Sequence, residues 1–170
     1  MAEGRDTSLS EFDHARLEFE ESIRRAPDAA LRFKPAGEDY ALGGLVVHVS
    51  QVLRKYAGVL EAVQQANWGA VGEPESQDSA EEAALIRDGF AATQRVAVLD
   101  DMRNAHTALV TQIRQAPADA FARQAPVTYS GSREPYPTSQ SDVLGWVLDH
   151  YNEHTQQVAD LISAWSEATR

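Results

Sequence analysis

Two histidines stand four residues apart near the end of the sequence, His150 and His154, and Gln157 follows three residues later. On a helix, four residues advance about 400°, so both rings project from one face, one turn apart. Two imidazoles placed in this way can reach one metal ion. With His150 as zero, Val143 and Leu161 fall at about 20°, Trp146 at about −40° and Val147 at about 60°. The histidines therefore interrupt the middle of an apolar stripe. Burying such groups unpaired costs about 1–3 kcal/mol each, so something must satisfy them. On spacing alone, a metal and a network of hydrogen bonds are equally good answers.

His48 shifts that balance. It lies at the edge of a second apolar arc, with Leu45, Val52 and Val59 within about 60° of it. Three neutral imidazoles from two helices make a site of catalytic type, with a coordination position left open for zinc or a similar ion. Taken alone, His48 reads as a partly exposed helix residue. His106 sits on a third stripe, among Leu99, Met102, Val110 and Ile113, either as a satisfied core histidine or as a pocket residue. His14 points away from Phe12 and Phe19, toward solvent. Trp146 reads as bundle core or as pocket lining, and Gln157 as a pocket residue beside the histidines.

His150 to His154 also spell H-x-x-E-H, the inverted zinc-protease motif. That enzyme needs a further ligand well downstream and a peptidase cleft, and this sequence supplies neither. Glu153 stays a candidate proton carrier, although a solvated helix charge is its plainer reading. Ser50 near His48 and Ser141 beside Asp142 lack triad or elbow spacing. Gly69-Ala70-Val71-Gly72 lacks the Lys-Ser/Thr of a phosphate loop.

Four helical segments must position these residues. The first is expected from about Ser8 to Arg25, with Ser8 and Glu11 at capping-box spacing and Phe12, Phe19 and Ile23 on one face. The second is expected from about Asp39, as N-cap, to Gln65. Gly43-Gly44 near its start weakens the helix and permits a close backbone approach. The third covers about Ser79 to Gln115, its firm part carrying Val96, Leu99, Met102, Leu109, Val110 and Ile113, with Gly89 able to split off a short leading helix. The last runs from about Ser141 to Ala168. A long loop from about Pro117 to Gln140 precedes it and holds one extended candidate, Val127-Thr128-Tyr129. No segment alternates with period two for long. The expectation is an all-α four-helix bundle, with residues 1–170 as one domain.

Composition narrows the chemistry. The 170 residues are 43% hydrophobic and 24% charged, which are globular proportions. Without a cysteine there is no disulfide, thiol nucleophile, iron–sulfur cluster or thiolate-bound zinc. A net charge of −11 argues against nucleic acid and against an anionic membrane surface as partners. The polar N-terminus lacks the order of a signal peptide, and no apolar run approaches the roughly 20 residues that span a bilayer. A soluble cytoplasmic protein is expected.

Two segments carry a family resemblance. Gly37 to Val49, ending in His48, resembles the entry to the second helix of the DinB/YfiT-like superfamily. His150 to Gln157 resembles that family's H-x-x-x-H-x-x-Q on the last helix. Members often carry Trp where Tyr40 stands, and a Ser-Ile or Ser-Val pair where Ala41-Leu42 stands. The resemblance implies a bundle of DinB/YfiT-like type whose connectivity is not simply up and down. It also implies homodimers, and a divalent metal (zinc, nickel or iron) bound by His48, His150 and His154. Relatives include S-transferases that use low-molecular-weight thiols such as bacillithiol, mycothiol-dependent maleylpyruvate isomerases, and many proteins described only as metal-dependent hydrolases.

Three functions follow. The first is an S-transferase acting on a small-molecule substrate with an external thiol, which the metal converts to a thiolate. The second is a hydrolase using metal-activated water, with Glu153 or His106 as proton shuttle. The third is a metal-binding stress-response protein without catalysis. The resemblance favours the first.

Overall fold

Leu9, Phe12, Ala15, Phe19 and Ile23 recur every three or four residues and are all buried, which sets one face of α1 (Ala2–Arg25) into the core. The computed structural model describes residues 2–170, with side chains from Gly4 onward. Helix α1 packs chiefly against α5 (Gln140–Ala168), and α2 (Gly44–Gln65) chiefly against α4 (Arg95–Gln115). Buried Leu45, Val49, Leu53 and Leu60 of α2 meet Leu99, Met102, Leu109 and Ile113 of α4 and Val143, Val147, Val158 and Leu161 of α5 in one apolar cluster. Across its edge, Glu20 is 3% exposed and bound by Arg16, Arg24 and Arg103, which ties α1 to α4. The helical bundle is as the periodicity requires. No helix among the described residues is long and apolar enough to cross a membrane.

The starts of two helices and the place of one side chain differ from expectation, and the third helix breaks where Gly89 was able to split it. Helix α1 starts at Ala2, so Ser8 and Glu11 lie inside it and form no cap. Helix α2 starts at Gly44, and Asp39 caps nothing. The segment before it is held instead by backbone bonds from Leu42 N to Phe33 O (2.9 Å), Gly43 N to Leu31 O (2.9 Å) and Ala41 N to Ile86 O (3.0 Å). The third expected helix divides at Gly89 (φ +69°) into α3 (Ala80–Asp88) and α4. Val96, expected in the core, is 68% exposed, because it lies about 90° from the centre of the α4 stripe.

The glycine pair at the start of α2 does permit a close approach. A Cβ on Gly44 would lie 2.0 Å from the Ile86 carbonyl oxygen, inside any van der Waals contact. Ile86 belongs to α3, whose start is fixed by a capping box between Ser79 and Glu82. The same device, Ser139 with Asp142, starts α5.

The long loop contains more structure than the single extended stretch expected. Strand β2 (Ala125–Thr128) pairs antiparallel with β3 (Tyr136–Thr138) and parallel with β1 (Val71–Gly72), giving a small sheet in the order β1-β2-β3. Ala125 and Val127 turn inward onto Val59 and Val63, so the sheet rides on the C-terminal half of α2.

Candidate metal centre

Helix α2 delivers His48 one turn after Gly44, and α5 delivers His150 and His154 one turn apart. One ring nitrogen from each lies within 4.8 Å of the other two. The ring centroids of His48 are 5.0 Å from His150 and 5.2 Å from His154. Nε2 of His150 and Nε2 of His154 are 3.1 Å apart. The two-helix convergence required by the spacing is therefore present.

Burial keeps the three rings neutral. It lowers the pKa of His48 to about 4, helped by His154 and opposed by Asp78. It lowers His150 to about 3, helped by His154 and His48. It lowers His154 as well, against the pull of Gln157 and Glu153. Near pH 7 all three lone-pair sets are free of protons that a cation would have to displace. Gln157 Oε1 accepts a 2.8 Å hydrogen bond from His154 Nδ1, which leaves Nε2 as the nitrogen turned toward His150. Among the described residues no hydrogen bond reaches His48. Three neutral imidazoles, one of them oriented by an amide, form a donor set that suits zinc, nickel or iron.

Tyr40 is the site neighbour that sequence reasoning did not single out. Its ring centroid is 4.6 Å from that of His48 and 6.2 Å from that of His154. Burial, then the charge of Asp39, raises its hydroxyl pKa. The signal available in the sequence was an aromatic residue eight positions before His48, in a segment that folds back on α3 rather than continuing α2.

The remaining candidates divide. Gln157 touches the cluster directly. Glu153 is exposed, shares no hydrogen bond with the histidines among the described residues, and acts on His154 only by its charge. His106 sits elsewhere, stacked on Phe12 at 4.3 Å, with Nδ1 3.1 Å from the Tyr151 hydroxyl and Nε2 2.7 Å from Asp13. Trp146 is half-buried among tyrosines one turn before His150. His14 is exposed beside Glu18.

One member of the cluster borders a cavity. A cavity of about 860 Å³ runs from His48 along α2, under the segment 73–78, with Gln51, Lys55, Glu73, Asp78 and Gln112 among its walls. Lys55 pairs with Glu73 at 3.2 Å, and Glu73 accepts from Ser130 N at 3.1 Å, which fastens that segment to the sheet. A small molecule in this cavity can thus reach His48.

Comparison with known proteins gives one family and one fold. The family model of the DinB superfamily matches residues 11–158. No curated protein matches the chain in sequence. Among solved structures, the mycothiol-dependent maleylpyruvate isomerase superposes with a TM-score of 0.67 at 12% identity, over 91% of this chain and 60% of the isomerase. A point mutant of that isomerase gives 0.66 at 11% identity. A conserved protein of Enterococcus faecalis gives 0.63 at 15% identity, over 92% of this chain and 94% of its own. The chain thus spans well under two thirds of the isomerase, and the likeness is one of fold.

Proposed function

The chain belongs to the DinB superfamily, and from that premise we propose that it is a divalent-metal-dependent enzyme acting on small molecules, specifically an S-transferase with an external low-molecular-weight thiol as cosubstrate. The observation that carries the reading is the convergence of His48, His150 and His154, with His48 lining an open cavity. Those three residues are the proposed ligands. A divalent ion held there supplies a Lewis acid that stabilises a thiolate at neutral pH.

The chain's own groups supply the rest. It has no cysteine, so the thiol must come from outside. Gln157 holds the proton of His154 on Nδ1 and keeps Nε2 free. Tyr40 packs against the ring of His48. Gln51, Gln112 and Asp78 line the cavity with donors and acceptors for a polar cosubstrate. Glu153, exposed and adjoining His154 in sequence, acts on the cluster through its negative charge. A fold shared with a mycothiol-dependent enzyme supports the thiol in preference to water as nucleophile.

Elemental analysis of protein purified without a histidine tag or added metal is the first test, with about one divalent ion per chain expected. The second compares turnover of a model electrophile with and without bacillithiol-type thiols, on metal-loaded and metal-free protein. Thiol-dependent turnover that needs metal supports the transferase. Ester or amide turnover without thiol replaces it with the hydrolase. Protein that takes up neither zinc nor nickel overturns the metal site itself.

A further inference from the structure

Four aromatic rings from three segments meet one helical turn from the histidines. Trp146 precedes His150 by four residues on α5, a rise of about 6 Å on nearly the same face. Tyr56 lies two turns beyond His48 on α2, Tyr129 follows β2, and Tyr136 opens β3. The Trp146 ring centroid is 5.7 Å from Tyr56, 6.2 Å from Tyr129 and 5.8 Å from Tyr136. All these contacts are tilted or edge-on, so no ring stacks face to face on Trp146.

The rings are also accessible. Tyr56, Tyr129 and Trp146 are only half-buried, and Tyr136 is 55% exposed. Large apolar residues scattered singly over a surface are ordinary. Three tyrosines gathered around one tryptophan, one turn before His150, form a patch. Two contacts keep it in shape. The Tyr129 hydroxyl lies 3.1 Å from Oγ1 of Thr138, which is buried. The Lys55 ammonium lies 5.7 Å from the Tyr56 ring centroid and 5.8 Å from that of Tyr129, with Glu73 neutralising it. Lys55 thus lies over two of the rings with its charge offset by Glu73, and Trp146 and Tyr136 make no such cation contact among the described residues.

We infer that this wall of Tyr56, Tyr129, Tyr136 and Trp146 binds an uncharged, planar aromatic group of the small-molecule substrate. The inference rests on the proposed function, because the nearby histidine cluster is what makes the wall a substrate subsite. It adds a partition of the site. The polar cavity along α2 takes the hydrophilic cosubstrate, and the aromatic wall takes the electrophile. An aromatic ring gains from edge and face contacts that a saturated ring of equal size cannot make.

The test titrates the full chain with benzyl alcohol and with cyclohexylmethanol, following the three indole N–H signals by nitrogen–proton NMR. Benzyl alcohol should shift the Trp146 signal saturably and leave Trp68 and Trp165 in place. Cyclohexylmethanol should bind about fivefold more weakly. Tyr136→Ala should weaken benzyl alcohol by about fivefold, and Tyr136→Phe should restore it, with zinc content unchanged in both. Tyr136 is exposed, so neither variant threatens the fold. Equal affinity for the two alcohols, an unmoved Trp146 signal, or an unaffected Tyr136→Ala variant overturns the inference. The titration is repeated on metal-stripped protein to separate the two readings. Aromatic binding by a chain that refuses zinc supports the wall and overturns the metal centre. Zinc uptake without aromatic binding does the reverse.

Discussion

Two groups of imidazoles lie in this bundle in opposite circumstances, one wholly buried and one partly open. His106 is 3% exposed, and both of its nitrogens are engaged, one by the Tyr151 hydroxyl and one by Asp13. His154 is 7% exposed, with Nδ1 on Gln157 and Nε2 on the Nε2 of His150 at 3.1 Å, while no side-chain hydrogen bond among the described residues reaches the half-buried His48 ring. A buried polar group without a partner is a standing penalty, and folds remove such penalties unless something else fills the place. The difference separates a histidine whose hydrogen bonds build the core from a cluster in which imidazole meets imidazole, the arrangement on which the proposed metal site rests.

That contrast can be broken most sharply by deleting ligands. His48→Ala or His154→Ala should reduce zinc affinity by more than ~100-fold, because each removes one of three donors, whereas losing a supporting partner alone costs 10–100-fold. Equilibrium dialysis with zinc reads this directly, and unchanged uptake would dissolve the distinction. His106→Leu should do the opposite. It leaves the Tyr151 hydroxyl buried without a partner and should lower stability by about 2–4 kcal/mol in urea, with zinc uptake intact.

Smaller effects sharpen the comparison. Gln157→Leu removes the acceptor that orients His154 and should weaken zinc binding by about tenfold, with little change in the melting temperature of metal-free protein. The smallest effect is a slope with pH. His48, His150 and His154 all have lowered pKa values in the fold, with His48 at about 4 and His150 at about 3. Below pH 6.5 the unfolded chain takes up protons that the folded chain refuses, so metal-free stability should fall from pH 6.5 toward pH 4. Above pH 7 these groups contribute no slope. Replacing His150 with Gln should flatten the acid limb, and a limb as steep as before would place its origin elsewhere.

How much of this was legible in the sequence depended on how local the cause was. The helical cores could be read from the recurrence of Phe12, Phe19, Leu45, Val49, Leu109 and Val147, since periodicity and burial share one geometry. The meeting of His48 with His150 and His154 could be read because each sits on or beside such a stripe. Asp39 misled because a good capping residue was present where the chain obeys distant partners instead, the carbonyls of Phe33, Leu31 and Ile86. The parallel pairing of Val71 with Val127 left no local trace either, because the two strands are far apart in the chain. Tyr40 was visible only as a departure from a family pattern, and its place against His48 follows from that same non-local fold-back.

The contact of Gly44 with the carbonyl of Ile86 has a mechanical consequence. Side chains cushion most helix junctions, since a rotamer can give way by a fraction of an ångström. Here backbone rests on backbone, and nothing between α3 and α2 can yield. His48 stands one turn from that contact, so its position is referenced to the chain of a neighbouring helix rather than to adjustable packing. The junction works as a datum from which one arm of the histidine cluster is measured, and a single methyl group at Gly44 would displace it.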